Sequence, residues 1–281
     1  MRVLITGAGG QVGRELVEAC ADDDVLAAGH SDLDVTDRDA VLGIVMTHRP
    51  DAIIHAGAWT AVDACEHDID RAFAVNALGT RNIGDAARRV GAHLTYLSTD
   101  YVFDGTKRSP YTEWDRPAPL SVYGRSKLAG EQEAGTDSTA IVRTSWVIGR
   151  FGTGGFVRGV IAAARSGGPV RVPSDQRGCP TNARDLAVVI RRLVVERHCG
   201  IFHVTNQGDA SRVELASTAL DWAGIDTGLV EAVLTSELRP VPDAARPEYS
   251  VLDNAALRLS GLPLLPDWRE SLAPLVRALG S

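Results

Sequence analysis

Short apolar runs rich in β-branched residues alternate with longer amphipathic stretches through the first two thirds of the chain. The runs RVLIT (2–6), DVLAAG (24–29), AIIHAG (52–57), HLTYLST (93–99) and TAIVRTSWV (139–147) show little polar alternation. A strand covered on both faces has no solvent side to reserve for polar residues, so this pattern predicts a buried parallel sheet. Helices fit between the strands. QVGRELVEACA carries Val12, Leu16 and Ala19 at helical spacing, and DIDRAFAVNALGTRNIGDAARRV is long enough for about six turns. The alternation predicts a doubly wound α/β domain over residues 1–150, with ligands at the carboxyl ends of the strands.

After residue 150 the texture changes. FGTGG is glycine-rich, FVRGVIAAARSGG reads as a helix ending at glycines, and PVRVP as a short strand. NARDLAVVIRRLVVERH reads as another sheet-covering helix and GIFHVT (200–205) as a returning strand. SRVELASTALDWAG, NAALRLSG and DWRESLAPLVRAL are helical pieces separated by proline-rich turns. The expected organisation is a smaller C-terminal substrate-binding lobe from 151–180 and 207–281, with 181–206 returning to the first domain.

Composition narrows the function classes. The 281 residues are 44% hydrophobic, enough for one large domain or two sharing a boundary, and the formal net charge is −7. The 29 Lys and Arg are scattered, which argues against a nucleic-acid partner. Cys20, Cys65, Cys179 and Cys199 lie far apart and form no C-x-x-C pair, as in a reduced cytoplasmic protein. Neither a signal-peptide core nor an apolar run of the ~18 residues needed to span a bilayer is present, so a soluble, cytoplasmic protein without a membrane partner is expected.

ITGAGGQVGREL follows the first strand and opens the first helix, giving Gly7-x-x-Gly10-x-x-Gly13. A glycine triplet alone is weak evidence. Between a strand and a helix, however, each glycine has a physical reason: one allows a tight turn, one the close approach of backbone amides to a pyrophosphate, and one close helix–sheet packing. The reading is a dinucleotide-binding Rossmann sheet. The end of the second strand, AAGHSDLDVTD, delays its first acid to Asp32, so the ribose position is not clearly acidic. That favours NADPH, with His30 or Ser31 near the 2′-phosphate and NADH as the alternative; Asp34 and Val35 would flank the adenine.

SVYGRSK (121–127) places Tyr123 four residues before Lys127, on one face if both lie on a helix. A nearby ammonium lowers a tyrosine's pKa, and such a pair can give a proton to a carbonyl oxygen as hydride reaches its carbon. Y-x-x-x-K also occurs by chance. Context supports chemistry: YLSTDYVFDG puts Ser98 and Thr99 at the carboxyl end of a strand, where Thr99 could donate to the same oxygen.

The glycine loop, HAGAWTAVDACE, VNALGTRN, STDYVFDG, Y-x-x-x-K, RTSWVIG, DQRGCPTNARDLA and RPEYSVLDN together resemble the extended short-chain dehydrogenase/reductase superfamily, and within it the dTDP-4-dehydrorhamnose reductase family, over about residues 1–279. The resemblance implies NADPH-dependent reduction of the C4 ketone of a dTDP-activated 6-deoxy-hexose. It makes Tyr123 the proton donor, Lys127 the group that lowers its pKa and holds the nicotinamide ribose, and Thr99 the residue orienting the carbonyl. Gly7, Gly10, Gln11, Val12, Gly13, Ala56, Gly57 and Ala58 become cofactor positions, with Asn76 supporting the lysine side. Thr60, Val62, Phe103, Asp104 and Trp146 become positions contacting sugar or cofactor. Arg246 or Arg184 would supply cationic donors to a nucleoside diphosphate.

Related enzymes form dimers, some through magnesium held by C-terminal carboxylates. This sequence offers no acidic cluster assignable to Mg2+, and both monomer and homodimer remain expectations. Dehydratases of the superfamily carry Thr-Asp-Glu, whereas this chain has Thr99-Asp100-Tyr101, which counts against elimination. A non-catalytic NADP-binding regulatory subunit is the alternative of a different class. Within the reductase reading, rhamnose, 6-deoxy-talose and dihydrostreptose routes stay open.

Overall fold

The structure is a computed structural model that describes residues 1–152 and 154–280. Its centre is a six-stranded sheet of β1 (Arg2–Thr6), β2 (Asp24–Ala28), β3 (Ala52–His55), β4 (His93–Thr99), β5 (Thr139–Thr144) and β6 (Gly200–His203). The strands are parallel throughout, in the order β6-β5-β4-β3-β1-β2. Both faces are covered, as the continuous apolar runs require. Val3, Ile5, Ala52, Ile54, Ala140 and Val142 pack on one side with Leu16 of α1 (Gln11–Ala19). The alternate residues Leu4, Ile53, Leu94 and Ile141 pack on the other with Val41 and Val45 of α2 (Arg38–His48) and Ile83 of α3 (Gly79–Val90). α4 (Val122–Ala134) lies beside α3 and β4. The chain reverses direction across the sheet at β1 and β3, which makes their carboxyl ends the switch point where such sheets hold ligands.

A second core joins α5 (Phe156–Arg165), α7 (Arg212–Trp222) and α8 (Trp268–Gly280) through Val160, Ile161, Leu215, Leu272 and Val276. Between them in sequence, α6 (Ala183–Val195) returns to the sheet, where Leu186, Ile190 and Leu193 pack against the α1 side. Leu257, Leu262 and Leu265 also join that first core.

Two elements differ from the sequence pattern. The helix expected from the stretch before Val90 is interrupted: Ile69–Phe73 is α-helical, Ala74–Leu78 forms a π-turn, and α3 follows. The expected strand 139–147 stops at Thr144, because Trp146 takes φ +43° and turns the chain before Val147–Ile148 pairs with Thr181–Asn182.

Candidate active site

At the end of β1 the chain must turn tightly against β3. Gly7 does so with φ +70°, and a Cβ there would lie 2.6 Å from the Gly57 nitrogen. A Cβ on Gly13 would fall on the Gly7 carbonyl, so this glycine lets α1 lie against the loop. The N-terminus of α1 has no side-chain cap and no acid in its first turn. Its free N–H groups and the positive end of its dipole therefore suit an anion such as a dinucleotide pyrophosphate. Gly13→Ala is expected to cost about 1–3 kcal/mol of stability through overpacking and to weaken NADPH binding, read by thermal unfolding and fluorescence titration.

Two cavity halves, each of about 390 Å3, share Gly7, Gly10, Ala56 and Ala58 as common wall. The first is lined by His30, Leu33, Asp34, Val35, Gly57, Trp59 and Arg71. The second is lined by Gln11, Val12, Gly13, Thr60, Val62, Thr99, Tyr123, Lys127 and Trp146. Asp34 is held ionised by the Thr36 backbone N–H at 2.9 Å and the Thr36 hydroxyl at 2.8 Å, which push its pKa down. The Gln11 side-chain nitrogen is buried without a protein partner at this wall.

The catalytic candidates come from two elements. Ser121 caps α4 by accepting the Gly124 N–H at 3.1 Å, which fixes the turn carrying Tyr123. Tyr123 packs edge-on against Tyr101 with ring centroids 5.6 Å apart. At the end of β4, Thr99 accepts the Tyr101 N–H at 3.2 Å and donates to Asp100 at 3.1 Å. Burial pushes the Tyr123 hydroxyl above its ordinary pKa, opposed by a hydrogen bond with Thr99. This differs from the lowering expected of Lys127, because that ammonium is engaged elsewhere. It donates to the Leu97 carbonyl at 2.6 Å and lies 4.1 Å from the Tyr96 ring centre. Burial brings the Lys127 pKa down to about 7, with the Glu131 carboxylate opposing.

The linkage has a definite sign. A lysine whose folded pKa lies below its unfolded value penalises folding fully below the folded pKa, and the penalty fades as pH rises towards the unfolded value. Lys127 should therefore make the protein more stable as pH rises from about 7 towards 10.5. Thermal unfolding from pH 6.5 to 9.5 should show a rise that Lys127→Met flattens; equal slopes in the two proteins would refute the assignment.

The family described as the RmlD substrate binding domain matches residues 1–280. The chain belongs to this family. It is 43% identical to a probable dTDP-4,6-dihydroxy-2-methyloxan-3-one 4-ketoreductase of Streptomyces antibioticus, over 97% of this chain and 93% of the relative. It is 41% identical to a dTDP-4-dehydrorhamnose reductase of Mycolicibacterium smegmatis, over 99% of this chain and 86% of that one. Among solved structures, the dTDP-4-dehydrorhamnose reductase of Bacillus anthracis, crystallised in complex with NADP, superposes with a TM-score of 0.93 at 39% identity, covering 98% of each chain.

Several residues expected at an RmlD-family site stand outside the cavity. Phe103 is fully buried, stacked on Tyr111 with centroids 4.2 Å apart. Asp104 turns to the Thr106 N–H and hydroxyl and the Tyr111 hydroxyl. Both therefore brace the loop after β4 and form no part of the cavity wall. Asn76 is buried in the π-turn, where its amide accepts the Trp59 N–H at 2.8 Å and donates to the Trp59 carbonyl and the Ser126 hydroxyl. It braces α4 through Ser126, one residue before Lys127. Arg246 is forked onto Asp63, with its closer contact at 2.7 Å. Arg184 is exposed on α6, and Ser31, unlike His30, does not line the cavity.

Other cavity residues escape the sequence reading. Arg71 sits over the Trp59 ring at 4.5 Å in the first half. Asp100, Tyr101 and Arg212 line the second. Asp100 is wholly buried, accepts from Ser145 at 3.1 Å and Ser250 at 2.5 Å, and has its pKa raised by desolvation. Among the described residues no group of three or more His, Cys, Asp or Glu is arranged to hold a metal. Glu15 is paired with Arg150 at 3.0 Å. No described helix is long and apolar enough to cross a membrane.

Proposed function

We propose that this chain is an NADPH-dependent 4-ketoreductase of a dTDP-activated 6-deoxy sugar, with dTDP-4-dehydro-6-deoxy-L-mannose (dTDP-4-dehydro-β-L-rhamnose) as substrate and dTDP-L-rhamnose as product. The observation that carries the reading is that Tyr123, Lys127 and Thr99 line the same cavity half as the glycine loop. The uncapped first turn of α1 would hold the pyrophosphate, and Asp34 and Val35 the adenosine end. Arg71 supplies a cation there and His30 a ring that can hydrogen-bond, which suits a 2′-phosphate. When bound, the reduced nicotinamide supplies the hydride.

The protein's own part is proton supply and orientation. A tyrosine whose pKa is raised by burial keeps its proton at neutral pH and releases it only to a strong base. The developing alkoxide at C4 is such a base. Thr99 holds the ketone oxygen, and Lys127 carries a proton affinity suited to exchange near neutrality and binds the nicotinamide ribose. All three groups are present, which favours catalysis over a purely regulatory NADP-binding role.

A second substrate is favoured by one observation: the 43% identical Streptomyces antibioticus relative is described as acting on a different dTDP-linked ketosugar. The test is oxidation of NADPH, followed at 340 nm, with the product of dTDP-glucose 4,6-dehydratase, with and without the 3,5-epimerase, and in parallel with NADH. Rapid oxidation only with the epimerase supports the rhamnose route. Oxidation without it moves the assignment to a 4-keto-D-sugar, and none with either sugar refutes the reductase reading for both.

A further inference from the structure

The cavity half that holds Tyr123 also holds a cation that makes no direct ion pair among the described residues. Arg212 opens α7, on the C-terminal lobe, and lines this half. Its guanidinium lies over Trp146, with its central carbon 3.6 Å from the ring centre, and 4.8 Å from that of Phe156. Space around the platform is tight. Trp146 takes a left-handed backbone conformation, and a Cβ on Gly178 beneath it would come within 2.6 Å of the indole. Among the described residues no carboxylate ion-pairs with Arg212 and none accepts a hydrogen bond from it. The residue is only partly exposed, and burial draws its pKa down to about 10. The Tyr101 and Asp100 side chains offset only part of the burial, and Arg246 adds like-charge repulsion.

A desolvated, unpaired arginine is costly in a fold that needs it only for packing, since an apolar side chain would cover Trp146 as well. A planar fork of donors that lines a cavity suits a phosphate group. The cofactor's pyrophosphate has its own place at the uncapped end of α1, so a second anion is required to explain Arg212. We propose that Arg212, held over Trp146, is the receptor for the diphosphate of the nucleotide-sugar substrate, and so positions the sugar ring against Tyr123. This rests on the reading of the site as one for a nucleoside-diphosphate sugar.

The test uses dTDP and thymidine as probes, titrated by calorimetry into the NADP-loaded wild-type protein, Arg212→Gln and Arg212→Lys. Wild type should bind dTDP more tightly than thymidine. Arg212→Gln should weaken dTDP binding at least about tenfold, the loss expected for a hydrogen bond to a charged group, with thymidine and NADPH affinities unchanged. Arg212→Lys, which keeps the charge but not the fork, should fall between. An unchanged dTDP affinity in Arg212→Gln, a wild type that does not prefer dTDP, or equal loss of dTDP and NADPH in both variants would overturn the proposal. Because these titrations need no turnover, Arg212-dependent dTDP binding in a protein that reduces neither 4-keto sugar would keep the subsite and refute only the reaction.

Discussion

Tyr123→Phe should fold, bind NADPH with wild-type affinity and lose about 10²–10⁴-fold in kcat, the range contributed by a positioned general acid. The substitution keeps the ring that packs edge-on against Tyr101 and removes only the hydroxyl. Thr99, which orients the ketone oxygen through a hydrogen bond, cannot take over, because an aliphatic hydroxyl is a far weaker acid than a phenol. Steady-state and single-turnover rates with the 4-keto sugar, alongside an NADPH titration, separate chemistry from binding. Turnover within a few-fold of wild type would exclude Tyr123 as the proton donor.

The largest stability effect is expected one turn beyond Lys127. Glu131 receives both the Nε and Nη2 donors of Arg143, at 2.8 and 2.6 Å, and the Ser98 hydroxyl at 2.5 Å. Both charged side chains are almost completely buried, at 2% and 5% exposure. Removing one partner leaves a desolvated charge behind, so Glu131→Ala should lower unfolding free energy by about 3–5 kcal/mol, whereas replacing both ions by apolar residues of similar volume should cost far less. Urea unfolding of the single and double variants measures the contrast. Glu131 also favours the protonated form of Lys127. Its loss should therefore move the lysine's titration further down, shifting the alkaline limb of the pH–rate profile to lower pH in whatever folded protein remains.

Features resting on local rules were legible in the sequence. The strands Arg2–Thr6, Ala52–His55 and His93–Thr99 showed as runs with little polar alternation because both sheet faces are covered, although the run 52–57 extends two residues past the end of its strand. Gly7 and Gly13 showed because no other side chain fits where they lie. Tyr123 and Lys127 showed because a helix brings i and i+4 to one face. Features created by tertiary contact were not legible. Arg212 is the first residue of an ordinary capped helix, and only the fold lays it on a tryptophan more than sixty residues earlier in the chain. Arg71 follows the same logic over Trp59. Phe103 and Asp104 sit in a motif that reads as pocket wall, yet Tyr111 stacks on the first and hydrogen-bonds the second. The π-turn at Asn76 leaves no mark in the apolar pattern, since Ile69–Val90 is helical on either side of it. Such turns recur at functional sites, and this one points an amide at the loop and helix that frame the cavity.

Hydride transfer to C4 beside Tyr123 is the centre of the account. The most direct measurement is the NMR spectrum of the sugar formed from the dTDP-4-keto-6-deoxy substrate and NADPH deuterated at the transferring position of the nicotinamide. A dTDP-6-deoxy sugar carrying deuterium at C4, formed at a rate that collapses in Tyr123→Phe, is the predicted result. A product without deuterium at C4, or equal formation by the variant, would contradict it.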